Sequence, residues 1–142
     1  MTDFQASFVP EENHPEIRAL IERMQVLRSR PDEFITLFQP DAVMHLVGDQ
    51  RDWPYFGAYR GQAQILERLR RIGMEFEVMN DRILNIVIDG DCFAVRRLLE
   101  VRHLGSSQEA LAVLGDFVRT RGGLIDEFFQ YSDTAMACRL MR

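Results

Sequence analysis

The sequence predicts a mixed α+β domain, with helices gathered on one side of a mostly antiparallel sheet. Three observations carry that prediction. In the first half of the chain apolar residues recur at helical spacing, whereas the second half holds four long runs joined by tight turns. The resulting order is helix, helix, strand, helix and then four strands, which segregates helices from sheet instead of alternating them. If the sheet is strongly curved, three helices across its open side make a cone-shaped barrel with one internal cavity, a natural place for a ligand.

Each element has its own signal. "HPEIRALIERMQVLRSR" (14–30) places Pro15 in a first turn and aligns Ile17, Leu20, Ile21, Met24 and Leu27 in one stripe. "RPDEFITLF" begins a second, short helix, with Pro31 near its first position and acidic residues facing the positive end of the helix dipole. Pro40-Asp41 ends it, and "AVMHLV" (42–47) reads as a strand. "DWPYFGAYRG" (52–61) then concentrates four aromatics, including the only tryptophan, Trp53, with two glycines. A third helix follows in "GQAQILERLRRIG", with Ile65, Leu66, Leu69 and Ile72 on one side and Gly73 as a stop. "EFEVMNDRILNIVID", the Asp89-Gly90-Asp91 turn, "CFAVRRLLEVRHL", a "GSSQ" turn, "EALAVLGDFVRTR", Gly122-Gly123 and "LIDEFFQYSD" form a meander of four strands. "TAMACRLM" closes the chain with one or two helical turns.

Bulk composition narrows the function classes. The 142 residues, 46% hydrophobic and 27% charged, predict one domain spanning 1–142 with a sizeable core. No apolar run approaches a membrane span, and the acidic N-terminus lacks a basic-then-apolar export pattern. Cys92 and Cys138, far apart and without metal-type spacing, predict free thiols in a reducing cytoplasm. All 17 basic residues are arginine, which excludes Schiff-base catalysis and a P-loop lysine. A net charge of −5 argues against a nucleic-acid partner, and the "RLRR" cluster at 68–71 reads as a solvated helix face. Three scattered histidines, no HExxH, no GxSxG and no GxGxxG point to no metal, no serine nucleophile and no nucleotide cofactor.

Strand alternation shows which polar residues share a face. Leu114, Asp116 and Val118 lie together, as do Val95, Arg97, Leu99 and Val101, and Phe128, Gln130 and Ser132. Both faces carry apolar residues, so periodicity leaves open which face is inward.

The ordered pieces "LFQPDAVMHLV", "YFGAYRGQAQIL", "DGD" and "GDFVRTRGGLIDEFFQYSDTA" resemble the nuclear transport factor 2-like superfamily. Within it they are most similar to the SnoaL-like and ketosteroid-isomerase-like branch, over about residues 14–138. The resemblance implies a conical α+β barrel of the cystatin-like kind, a homodimer formed through the outer sheet face and a deep apolar pocket for a small hydrophobic molecule. It implies no cofactor, and activities that run from isomerases, polyketide cyclases, dehydratases and epoxide hydrolases to proteins without catalysis.

The resemblance also places Asp116, Arg97 and Gln130 inward. Asp116, in "GDFVR", matches the strand aspartate that acts as acid or base, and an apolar site raises a carboxyl pKa. Arg97 would orient it or bind an oxyanion, and Gln130 would hydrogen-bond the ligand. The isomerase-type base position falls at Leu46, which cannot move a proton, so the neighbouring His45 is the alternative proton carrier if it faces the pocket. The carboxylates that flank the arginine in epoxide hydrolases fall at Leu99 and Gln130. Trp53, Tyr55, Phe56 and Tyr59 would wall the pocket mouth, with Leu69, Leu99 and Phe128 in contact with the ligand. The rival expectation is a non-catalytic module whose interior polar residues only hold the sheet together.

Overall fold

The computed structural model describes residues 14–141. The N-terminal stretch behind the export argument and both ends of the 1–142 domain assignment lie outside the described residues. Helix α1 spans Pro15–Leu27 and opens on its proline, whose missing N–H has no partner to lose there. Its buried residues are Leu20, Ile21 and Met24. Helix α2 is a single turn, Pro31–Phe34, tightened into a 3-10 turn at Ile35–Leu37.

Strand β1 runs Phe38–Val47 and so begins before Pro40, where the sequence suggested a break. The ladder to its neighbour skips between Phe38 and Val43, so the proline sits at an irregularity that needs no N–H from it. Strand β2, Gly57–Arg60, is an element the sequence pattern did not reveal, paired antiparallel with β1 from Val43↔Arg60 to Leu46↔Gly57. Gly57 and Gly61, at φ +145° and +82°, supply the two bends that fit this short strand between loop and helix.

Helix α3, Gly61–Glu75, runs through Gly73 instead of stopping at it. The Glu75 carbonyl instead receives the backbone N–H of Leu104 (2.9 Å), and the chain passes straight into a strand. The meander is β3 (Phe76–Asp89), β4 (Cys92–His103), β5 (Glu109–Arg121) and β6 (Leu124–Tyr131). Helix α4, Thr134–Leu140, is capped by Asp133, whose side chain accepts the Met136 N–H at 3.2 Å.

The six strands form one sheet in the order β2-β1-β6-β5-β4-β3. Among the described strands only β1 and β6 pair in parallel. Because β2 and β3 are unpaired edges among the described residues, these form an open curved sheet with four helices and not a closed barrel. Its inner face packs on α1–α3 through a core that includes Met24, Leu37, Phe38 and Ile65, all fully buried. Burying each such side chain stabilises the fold by about 1.5–3 kcal/mol. A smaller cluster, with Phe76, Leu99, Leu114, Met136 and Leu140, seats α4 against the other end. No helix among the described residues is long and apolar enough to cross a membrane.

Candidate functional site

The register of the sheet brings the polar residues together. Val95, Asp116 and Gln130 occupy one cross-strand row, and Leu46 pairs with Gln130 at its end. Arg97 lies in the next row, opposite Leu114 on β5 and Ile83 on β3. Asp116 and Asp81 are therefore the diagonal neighbours of Arg97 on its two flanking strands, within reach of a long side chain. Arg97 Nε donates to Asp116 Oδ2 at 2.9 Å, and Arg97 Nη1 to Asp81 Oδ2 at 2.5 Å.

Helix α1 completes the arrangement. Arg28, at its C-terminal end, donates from Nη2 to Asp116 Oδ2 (3.1 Å) and from Nε to Gln25 Oε1 (2.6 Å). Gln25 Nε2 donates in turn to Asp81 Oδ1 at 3.4 Å. Arg28, Gln25, Asp81, Arg97 and Asp116 thus close a ring of side-chain hydrogen bonds holding two cations and two anions. Burial lowers the Arg28 pKa to about 10, against the opposing pull of Asp116. Desolvated charges of this kind are tolerable only because each is paired and hydrogen-bonded.

Beside the ring lies a cavity of about 220 Å³. Its walls are apolar: Met44 and Leu46 from β1, Leu69 and Ile72 from α3, Leu99 and Val101 from β4, Leu114 from β5, Phe128 from β6 and Met136 from α4. Among the described residues Arg28, Arg97 and Asp81 are the only ionisable ones that line it, joined by Gln130 and Ser132.

Asp116 is inward but sealed, with no exposed side-chain area. Its two oxygens take four contacts, from Arg28, twice from Arg97 and, at 3.4 Å, from Gln130. The acid or base expected at Asp116 is therefore a carboxylate without a free lone pair, and Asp81 is the carboxylate that reaches the cavity. An arginine between two carboxylates is assembled after all, from Asp81 and Asp116 and not from Leu99 and Gln130.

Other expectations are also relocated. His45 does not reach the cavity: Met44 and Leu46 point inward, so alternation turns its ring onto the outer face, 5.3 Å from Phe129. Of the four aromatics expected at the mouth, only Trp53 lines the cavity. Phe56 is buried behind it, pressed so close to Gly48 that a Cβ there would fall 2.5 Å from its ring. Tyr59 donates its hydroxyl to the Tyr55 carbonyl (2.6 Å), and Tyr55 donates its own to Glu75. Arg68 of the "RLRR" cluster is not simply solvated, since its guanidinium lies 4.7 Å from the Tyr59 ring centre. Leu69, Leu99, Phe128 and Gln130 do line the cavity.

His103 is buried in a second polar cluster behind Trp53 and Phe76. Its Nδ1 lies 2.9 Å from Ser106 Oγ and 3.1 Å from the Ser106 backbone N, and its Nε2 faces Glu75 Oε2 at 2.8 Å. Ser106 Oγ donates to the Leu140 carbonyl (2.8 Å), tying the end of α4 to the β4–β5 turn. Partial burial raises the Glu75 pKa, but the Tyr55 and His103 hydrogen bonds outweigh it and hold the carboxyl below its usual value. Burial and the Glu75 carboxylate push Tyr55 up to about 12.

Sequence reasoning missed Asp81, Arg28 and Gln25. For the last two a signal existed: Ile21, Gln25 and Arg28 are spaced four and three apart, on the edge of the apolar stripe. For Asp81 there was none, because two irregularities in β3, at Val78/Asn80 and Ile83/Asn85, re-phase its alternation. Among the described residues no three His, Cys, Asp or Glu side chains gather as a metal site, and Cys92 and Cys138 are not joined by a disulfide.

A family model described as a SnoaL-like domain matches residues 17–128. Several solved structures share the fold. A candidate isomerase from Rhodopseudomonas palustris superposes with a TM-score of 0.77 at 18% identity, over 87% of this chain and 97% of that one. A nuclear transport factor 2-like protein from Burkholderia xenovorans LB400 gives 0.78 at 16% identity, over 90% and 97%. TerC, co-crystallised with polyporic acid, gives 0.74 at 20% identity, over 89% and 98%. At these identities the likeness shows a shared fold. No curated protein matches the sequence.

Proposed function

The chain belongs to the SnoaL-like domain family, and from that premise we propose that it is a cofactor-independent enzyme acting on a hydrophobic, carbonyl-bearing small molecule. The reaction is a proton transfer of the isomerase, cyclase or dehydratase type. One observation supports this above the rest: an apolar cavity ends on Arg28, Arg97 and Asp81, its only ionisable lining residues among those described. A ligand whose carbonyl meets the guanidinium donors presents its α-carbon to the Asp81 carboxylate. Asp81 takes the α-proton, the C–H electron pair becomes the enolate, and the oxyanion is held by N–H donors already in place. The protonated Asp81 returns the proton at another atom, so the step needs no redox partner. Asp116 acts as a positioning residue that aims both arginines.

Proton NMR of phenylacetone in D2O tests the proposal. Wild-type protein accelerates deuterium entry at the α-carbons, Asp81→Asn does not, and a wild-type rate equal to buffer would refute the reading for this ketone class. A second reading, ligand binding without catalysis, is favoured by one feature, the closed ring that leaves Asp116 no free lone pair. Saturable ketone binding without exchange supports that alternative.

We also propose that the chain forms a homodimer through its outer sheet face. Val113, Phe117 and Tyr131, on adjacent strands, each stand about half exposed there beside Val87. An apolar patch of this kind is a common interaction surface. Sedimentation of wild type against Phe117→Arg tests it, the variant being expected to sediment as a monomer.

A further inference from the structure

The cavity also restricts what it can hold, and this inference rests on the cavity being the ligand site. Its volume of about 220 Å³ lies below the roughly 300–1,000 Å³ of typical ligand pockets. A dry cavity of about 150 Å³ accommodates benzene, so by proportion this one holds about nine non-hydrogen atoms. That is one ring with a short polar arm. A tetracyclic skeleton extends beyond these walls.

The polar end specifies the arm. Arg28 uses Nε on Gln25 and Nη2 on Asp116, which leaves its Nη1 group without a hydrogen-bond partner among the described residues. Asp81 receives one N–H on each oxygen and keeps a lone pair on each for a further donor. Gln130 Oε1 and the Ser132 hydroxyl, which also line the cavity, have no partner among the described residues. Donors from arginine thus stand beside acceptors from Asp81 and Gln130. A simple ketone satisfies the first set alone and leaves the second unpaired, which is costly in an apolar cavity. Val78, about half exposed, marks where the cavity meets solvent on the β3 side.

We propose that the site takes a compact, single-ring ligand carrying an acceptor oxygen and a donor oxygen on neighbouring carbons, an α-hydroxy ketone or its enediol. The carbonyl oxygen lies on Arg28 and Arg97 and the hydroxyl donates to Asp81.

The single tryptophan provides the readout, because its indole N–H gives one isolated resonance from the cavity wall. Nitrogen-15-labelled protein is titrated with α-hydroxyacetophenone, acetophenone and androstenedione. The hydroxy ketone binds at least about tenfold more tightly than acetophenone, as expected for a hydrogen bond to a charged acceptor. Androstenedione leaves the resonance unmoved. In Asp81→Asn the preference for the hydroxy ketone over acetophenone falls below about threefold. Equal affinities for the two aryl ketones in the wild type, or comparable binding of androstenedione, overturn the proposal, and neither result depends on the variant folding. Tight hydroxy-ketone binding without deuterium exchange at its carbinol carbon upholds the ligand class and removes the proton-transfer reading. Accelerated exchange with equal affinities does the reverse.

Discussion

Replacing Asp116 by Asn tests whether this residue holds the site together or does chemistry in it. The side chain has no exposed area and is surrounded by donors: Arg28 Nη2 at 3.1 Å, Arg97 Nε at 2.9 Å and Gln130 Nε2 at 3.4 Å. An asparagine keeps the volume, but its NH2 must face an N–H in any orientation. The variant also leaves two buried arginines to share the single carboxylate of Asp81. Breaking a buried, hydrogen-bonded ion pair costs about 3–5 kcal/mol. At about 3 °C per kcal/mol for a chain of this size, Tm falls by roughly 9–15 °C. Thermal melts followed by circular dichroism measure this directly. Adding Arg28→Met to the Asn variant removes the surplus cation and restores part of the loss, with a coupling of about 1 kcal/mol or more. A fall of less than about 3 °C, with ketone exchange abolished, would refute the argument and return Asp116 to a chemical role.

Further outcomes follow from the same geometry. His45→Ala leaves ketone affinity unchanged in the indole titration, because the ring lies on the outer face against Phe129. The Glu75 carboxyl is held below its ordinary value of 4.5, so its contribution to stability is present above that value and is lost as pH falls through the lower folded-state pKa. Urea unfolding of wild type and Glu75→Gln should accordingly differ at pH 7 and converge in acid, and a constant difference would contradict the sign. Asp133→Ala removes the α4 cap at a cost of about 1 kcal/mol, and amide exchange over 134–140 should quicken before the sheet is affected.

The elements were largely legible because their signals are local. Helical spacing, prolines at helix starts and the Asp-Gly and Gly-Gly turns each act within a few residues, and the structure places α1, α3 and β3–β6 close to the predicted spans. Strand β2 was not legible, since four residues in an aromatic loop acquire strand character only by pairing with β1. The run through Gly73 was hidden for a similar reason: the carbonyl that ends α3 is satisfied by Leu104, a residue distant in sequence.

The site divides along the same line. Sequence alone determined that Arg97 and Asp116 lie on neighbouring strands at positions able to share a face, and that no lysine could serve as a nucleophile. Only the tertiary structure decided that Asp116 is sealed while Asp81 opens to the cavity. Two irregularities in β3 turn Asp81 inward, and the last turn of α1 carries Arg28 over to cover Asp116. Periodicity constrains a side chain relative to its own strand. Which carboxylate keeps a free lone pair depends on how many donors other elements bring to it, and that is a property of the packed chain.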